Sequence, residues 1–377
     1  MIRNFRQLRD KLAPTPPRLF PKGMAVLLNS TFTSYHWGCY ATSGYILNRL
    51  QDAGFFVDAY PAEVSHFGLP GPSLETPVDF DRYAEALKAR NPGLFFALQD
   101  ADIVVANGEG TIHRSHGGPV SLLAVLAYAK KALKKPTHLI NHSCFPNGDI
   151  NEAPAEVEAY YRFCLEDLDS VVARDPWSVQ IYRRLGIAAV QGFDCLPAFA
   201  RKYYRPAVSR PARTDAIGVS CASHWKDGDV GRFAGRLETL SADSRGPLRF
   251  IGGGFRRSPP EDVPHYEALQ RHFGAIEHVK PPSADAWLDS IASLSLLVTG
   301  RFHHVIGALC VGTPVIAFPG NTPKVDAVAS MFSDIRMMDL DDAGNDRIRS
   351  SWRRDDSVSA RMNDLADMAE KNFGFLD

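Results

Sequence analysis

The chain has 377 residues, too many for one ordinary core and enough for two domains of about 150–200 residues each. Hydrophobic residues make up 45% and charged residues 23%, the balance of a globular enzyme that folds in water. With 42 basic and 43 acidic side chains the formal net charge is −1, which argues against a duplex nucleic-acid binder and the basic excess such a protein carries.

Residues 1–23 read as a basic N-terminal arm. Within 1–12, Ile2, Phe5, Leu8 and Leu12 recur at helical spacing among Arg3, Arg6, Arg9 and Lys11. Such a helix either packs its apolar face on its own protein or lies peripherally on the anionic inner face of a membrane. A Pro-rich stretch, 14–21, separates the arm from a first strand at 24–29. A helix through Tyr45, Ile46, Leu47 and Leu50 follows. Further strand-like runs occupy 55–59, 102–107, 138–142, 170–173 and 188–191, and helical patterns occupy 80–90, 118–134, 154–166 and 176–186. Continuous apolar strands alternating with helices imply a parallel sheet covered on both faces. Residues 24–200 are therefore expected to form a doubly wound, Rossmann-like N-terminal domain.

The basic segment 201–214, with two prolines and no apolar period, reads as a linker. The alternation then restarts, with strands at 216–220, 248–251, 276–279, 296–299 and 315–318. Helical patterns fill 229–241, 262–273, 284–293, 303–311 and 323–332, so 215–350 reads as a second Rossmann-like domain. In the tail, 351–377, the spacing of Met362, Leu365, Met368 and Phe373 predicts a docking helix. The six cysteines are scattered without a C-x-x-C pair, which suits free thiols in a reducing compartment. The sequence shows no apolar run of the ~18–20 residues that a membrane span needs, and its start lacks the apolar core of a signal peptide. These features place the protein in the cytoplasm.

Two doubly wound domains in tandem are expected to leave a central cleft at the carboxyl ends of their strands, so the residues just after each strand are the candidates for chemistry. In Thr299-Gly300-Arg301-Phe302-His303-His304 a buried strand runs straight into a helix. Arg301 and His303 then stand at a helix N-terminus, where an anion is favoured; Arg supplies a fork for carboxylate or phosphate, and His a general acid. Phe302 lies between them, and His304 has a structural role. Ala173-Arg174-Asp175-Pro176-Trp177-Ser178 repeats the design, with Asp175 as N-cap and Pro176 at the first helical position.

Asn107-Gly108-Glu109-Gly110-Thr111-Ile112-His113 follows a third strand, and Glu109 there can orient or deprotonate a sugar hydroxyl. His113 and His116 lack a further ligand set, so no metal site is expected. The loop after the first strand offers Tyr35, His36 and Trp37, aromatic and polar groups that either contact a sugar or close the top of the core. Gly252, Gly253 and Gly254, with Arg256 and Arg257, give a weak phosphate signal. Lys324 opens a helix after Asn321-Thr322-Pro323, and Asp194 ends the first domain's last strand as a candidate base.

Taken in order, NGEGTIH (107–113), ARDPWS with YRRLGI after it (173–187) and GRFHHVIGALCVGTPVIAF (300–318) resemble the polysaccharide pyruvyl transferase family. The resemblance runs through about 24–330 and extends over the Lys324 region. It implies a GT-B-like α/β fold and transfer of a pyruvyl unit from phosphoenolpyruvate onto two sugar hydroxyls as a ketal. The family's arginine-x-histidine motif falls on Arg301 and His303, and its other arginine on Arg174. The Asn-x-Gly-Asp-type segment common after the family's first strand is absent here, where Tyr35-His36-Trp37-Gly38-Cys39-Tyr40 stands.

The expected roles follow. His303 serves as acid and Glu109 or Asp194 as base. Arg174, Arg301, Phe302 and Lys324 bind the donor, and His36, Trp37 and His113 contact a saccharide or lipid-linked acceptor. No cofactor besides the donor substrate and no nucleic acid is called for. Two alternatives stay open: a GT-B glycosyltransferase using a nucleotide-activated sugar, and a non-catalytic glycan-binding protein.

Overall fold

The computed structural model describes residues 21–32, 36–66, 79–110, 112–114, 117–206, 214–241, 246–254, 262–333, 335–341 and 358–377. The expected arm over 1–12, most of the Pro-rich stretch, Tyr35, His116, Arg256, Arg257 and linker residues 207–213 lie outside the described residues. The chain divides into two compact units. Among the described residues, the first comprises those up to 32, 42–195 and 368–377, and the second comprises 36–41 and those from 196 to 367.

The first unit is a six-stranded sheet of β1 (Gly23–Leu28), β2 (Phe55–Ala59), β3 (Ile103–Asn107), β4 (Thr137–His142), β5 (Ser170–Ala173) and β6 (Val190–Gln191). Their order is β2-β1-β3-β4-β5-β6, with every pairing parallel. The second sheet contains β7 (Ile217–Ser220), β8 (Leu248–Ile251), β9 (Glu277–Val279), β10 (Leu296–Thr299), β11 (Val315–Ala317) and β12 (Ile335–Met337). Its order is β12-β11-β10-β7-β8-β9, again all parallel. Central strands such as Val26–Leu28, Val104–Ala106 and Leu296–Val298 are buried along their length, as a sheet covered on both faces requires. The expected α/β architecture of two doubly wound Rossmann-type sheets is what forms.

Several elements depart from the sequence reading. Helix Pro92–Asp100 follows helix Phe80–Arg90 with only Asn91 between them. Asn91 ends the first helix and accepts the Leu94 N–H at 3.2 Å to cap the second, so one polar residue hides a helix start. The pattern over 118–134 is an α-helix only to Ala127, and then opens into a π turn at Tyr128–Ala132. Leu196–Tyr203 is a helix whose first five residues are buried, so the basic segment begins inside an element. Strand β12, Ile335-Arg336-Met337, was not expected, because Arg336 interrupts its apolar run.

The tail forms helix Val358–Glu370 and then a 3₁₀ turn, Lys371–Leu376. Within the first unit Phe373 is buried, and Phe375 stacks on His138 at 3.9 Å between ring centres. The tail's fully buried Asn372 accepts the Asn141 N–H at 2.7 Å and donates to Phe193 O at 2.9 Å. These two hydrogen bonds tie it to β4 and to the segment after β6.

Candidate functional site

In each sheet the strand order reverses once, and at such a switch point neighbouring strands leave a crevice beyond their carboxyl ends. In the first unit the reversal falls between β1 and β3. Asn29, just past β1, donates to Asn107 O at 2.6 Å; Asn107 ends β3 and donates to Ser43 Oγ at 2.9 Å. Asn141 in β4 donates to Asn107 Oδ1 at 2.9 Å and accepts the Cys195 N–H at 3.1 Å. Asn29 and Asn141 both adopt left-handed backbone (φ 54° each), which Asn tolerates better than most residues.

Glu109 is held by the same group. Its Oε2 accepts from Thr31 Oγ1 at 2.8 Å, Thr42 Oγ1 at 2.9 Å and Asn107 Nδ2 at 3.3 Å. Three donors on one oxygen fix the orientation of a half-buried carboxylate. His113 is set by a parallel bridge to Phe145, beside the mutual hydrogen bonds of Arg114 N to Phe145 O and Phe145 N to Ile112 O.

Arg174 follows β5 directly and is almost wholly buried. Its Nε donates to Ser143 Oγ and its Nη1 to Asp194 Oδ2, each at 3.0 Å. Asp194 is fully buried in this ion pair. The Asp194 carboxylate, expected as a candidate base, thus faces the Arg174 guanidinium and orients it. Asp175 caps the next helix as expected, accepting Ser178 N at 2.8 Å and Ser178 Oγ at 2.9 Å. Burial nevertheless pushes its carboxyl above the ordinary value. Behind them His142 hydrogen-bonds Tyr182 at 2.6 Å, and burial together with the Arg174 charge lowers the imidazole to about 3.

In the second unit the reversal falls between β7 and β10, where Thr299 pairs with Ser220 and their hydroxyls lie 2.6 Å apart. Helix Phe302–Val311 starts at once, with Arg301 as N-cap and Gly312 closing it in left-handed conformation (φ 68°). Arg301 is 7% exposed. It donates through Nε to Cys221 O at 3.0 Å and through Nη2 to the Asp262 carboxylate, and its Nη1 lies 3.1 and 3.2 Å from the two ring nitrogens of His36. His36 forms an antiparallel bridge with Gly254, and Trp37 N donates to Gly253 O at 2.7 Å.

His303, half-buried in the helix's first turn, rests against Gly38. A Cβ on Gly38 would lie 2.2 Å from the imidazole Cγ, so only glycine admits the ring there. Phe302 is buried and meets His303 edge-on, with ring centres 5.4 Å apart. His304 is buried against Trp287, and burial, Arg301 and His36 hold its imidazole well below the ordinary value, the structural role expected of it.

Trp37 is buried, with its indole donating to Pro281 O at 3.2 Å, so it closes the core rather than offering an open face to a sugar. Lys324 opens the six-residue helix Lys324–Ala329 and is half-exposed. The second unit thus gathers Arg301, Phe302, His303, His36 and Trp37, and the first gathers Glu109, Arg174 and Asp194. Two residues escaped the sequence reading. Asp262 is one of them. It reads as an ordinary acidic helix start, and nothing marks a partner 39 positions away. Asn372 lies in a tail whose apolar spacing alone drew notice.

Two parallel Rossmann-type sheets, each with polar side chains at its switch point, define a GT-B-like α/β fold. The chain belongs to the polysaccharide pyruvyl transferase family, whose family model matches residues 9–321. No curated protein matches it. Among solved structures it is similar to Methanocaldococcus jannaschii UDP-GlcNAc 2-epimerase in complex with UDP-GlcNAc and UDP (10% identity, 93% and 92% of the two chains, TM-score 0.53). It is also similar to sucrose-phosphate synthase from Thermosynechococcus elongatus (12% identity, 94% of each chain, TM-score 0.52). At these identities the likeness is one of fold. The family makes the chain a glycan-modifying transferase. None of its described helices is long and apolar enough to cross a membrane.

Proposed function

We propose that the protein transfers a pyruvyl unit from phosphoenolpyruvate to two hydroxyls of a sugar in a polysaccharide or its precursor, forming a ketal and releasing phosphate. The observation that supports this most is the family match over a span that includes Arg301 and His303, which the fold sets at the start of one helix at a switch point. His303 gives a proton to the donor's methylene carbon and the central carbon becomes electrophilic. One sugar hydroxyl adds there and loses its proton to a base, for which Glu109 is the candidate. Phosphate then leaves with the C–O bonding pair, and the second hydroxyl closes the ketal, its proton passing to the base or the phosphate. Arg301 and the N–H groups of the helix's first turn suit the donor's anionic groups. Lys324 and Arg174 are further donor-side candidates, with His36 and His113 on the acceptor side. In this reading the reaction runs in the cytoplasm, and the arm over 1–12 is a candidate membrane contact for a lipid-linked acceptor.

The second reading, a glycosyltransferase using a nucleotide sugar, draws on the UDP-GlcNAc bound in the epimerase neighbour. A donor screen by thermal shift separates the two, because ligand binding to the native state raises the melting temperature by mass action. Phosphoenolpyruvate should stabilise the protein, and phosphate release should depend on a glycan acceptor. Stabilisation by UDP- or CMP-sugars with none by phosphoenolpyruvate would replace this reading with the second. His303→Gln should lower turnover by about 10²-fold or more, the scale of a lost general acid. Wild-type turnover in that variant would take His303 out of the mechanism.

A further inference from the structure

Asp262 has no part in the scheme above, yet it is 1% exposed at the first turn of helix Asp262–Phe273. Its Oδ1 accepts from Arg301 Nη2, and its Oδ2 accepts the Gly253 N–H at 3.1 Å. One carboxylate therefore holds both a buried guanidinium and the glycine turn after β8. A guanidinium this deeply buried needs such a partner, because an unpaired charge there costs far more than the pair returns.

The contacts close into a ring. With Nε on Cys221 O and Nη2 on Asp262, two contacts along one edge fix the plane of Arg301, and Nη1 is thereby aimed at the His36 imidazole. The His36 segment is in turn fixed to the glycine turn by the Gly254 bridge and by Trp37 N on Gly253 O. Gly253 is packed so closely that a Cβ there would meet His304 Cε1 at 3.0 Å and His36 Nδ1 at 3.2 Å. Two sides of the ring end on Asp262, so its charge sets the geometry of the other members.

We propose that Asp262 is a positioning residue: it orients Arg301 and, through Arg301 and Gly253, the His36 segment at the start of helix Phe302–Val311. Its effect on the donor rests on the proposed function; its effect on the ring does not. Two measurements on the full chain separate them. In hydrogen–deuterium exchange, Asp262→Asn should speed exchange in peptides covering 36–38 and 252–254 by about tenfold or more, the scale of one charged hydrogen bond. A control peptide over 103–107 should stay unchanged. In donor kinetics, the same variant should raise the KM for phosphoenolpyruvate by about tenfold while kcat changes much less.

The double variant Asp262→Asn/Arg301→Gln should be no weaker than Arg301→Gln alone, because both act through one guanidinium. Asp262→Glu, which keeps the charge, should recover part of the affinity. Unchanged exchange in Asp262→Asn, or additive effects in the double variant, would overturn the assignment. If Asp262→Asn does not fold, the double variant and Asp262→Glu carry the same comparison, since neither leaves a buried guanidinium without a counter-charge. A wild-type chain that binds no phosphoenolpyruvate would overturn the donor reading alone, and the exchange measurement would still decide Asp262.

Discussion

Gly38 and His303 meet where there is no room for a methyl group, with the added Cβ 2.2 Å from the ring Cγ and 2.3 Å from the Cβ of His303. Gly38→Ala therefore forces either the imidazole or the start of the helix to move. Overpacking of this kind costs about 1–3 kcal/mol in a core. With His303 in its proposed role as proton donor, turnover should fall by about tenfold or more, because a displaced donor loses its alignment. Thermal melts and phosphate release measured side by side test this. Full turnover in a folded Gly38→Ala protein would show that the ring's position is immaterial.

Arg174 and Asp194 make a different kind of pair, in which two buried groups of opposite charge face one another. Arg174→Met leaves a fully buried carboxylate without its partner and should cost about 3–5 kcal/mol. Adding Asp194→Leu removes the orphaned charge and should restore most of that loss, since apolar replacements of buried ion pairs are often neutral. Urea unfolding of the single and double variants gives the comparison. A double variant weaker than Arg174→Met would show that the pair contributes net stability.

At the level of elements, helix Pro176–Arg184 is held by one cap. Asp175 has extended backbone (φ −144°, ψ 154°), and its carboxylate takes both the N–H and the hydroxyl of Ser178. The Ser178 hydroxyl in turn accepts the Cys144 N–H at 2.8 Å, so the cap reaches the loop after β4. Asp175→Ala should cost about 1–2 kcal/mol, the upper part of the range for caps, and the cost should fall with Ser178→Ala already in place. Denaturant midpoints of the two single variants and the double variant test that coupling.

This cap was legible in the sequence because N-cap chemistry is local: the acid, the proline and the serine are neighbours. Central strands such as β1, β3 and β10 were legible for the related reason that buried parallel strands are nearly unbroken apolar runs. The sequence reading failed where the deciding contact is distant. Nothing near Asp262 indicates Arg301, and nothing near Asn372 indicates Asn141. Asp194 looked like a base from its place at a strand end, and only the fold shows its oxygen on Arg174. Residues at strand ends can thus be listed from sequence, but which of them neutralise one another cannot.

For the molecule as a whole, acid stability follows from imidazoles buried without charge. Burial lowers His66 and His138 to about 4, and His142, fully buried beside Arg174, to about 3. All three belong to the first unit; in the second, His304 is held well below its ordinary value and burial lowers the half-buried His278 to about 4. In the unfolded chain each of these rings takes up a proton near pH 6.5. Between that value and about 4 the unfolded chain therefore holds more protons than the folded one. Stability is complete above pH 6.5 and is lost as the pH falls toward the folded values. Each buried imidazole should remove roughly 1–2 kcal/mol by pH 5. Asp175, pushed up by burial, works in the opposite sense, because its folded form takes up a proton above the unfolded value of 3.8 as the pH falls. Hydrogen exchange at pH 7 and pH 5, corrected for the intrinsic pH dependence of the amide rate, should show protection falling further in β3–β5 of the first unit than in β7 and β10 of the second. His142→Gln, which cannot take up the proton, should flatten the decline in the first unit even if it lowers stability at pH 7. Equal protection at the two pH values would mean that the folded protein accommodates these rings in their charged form.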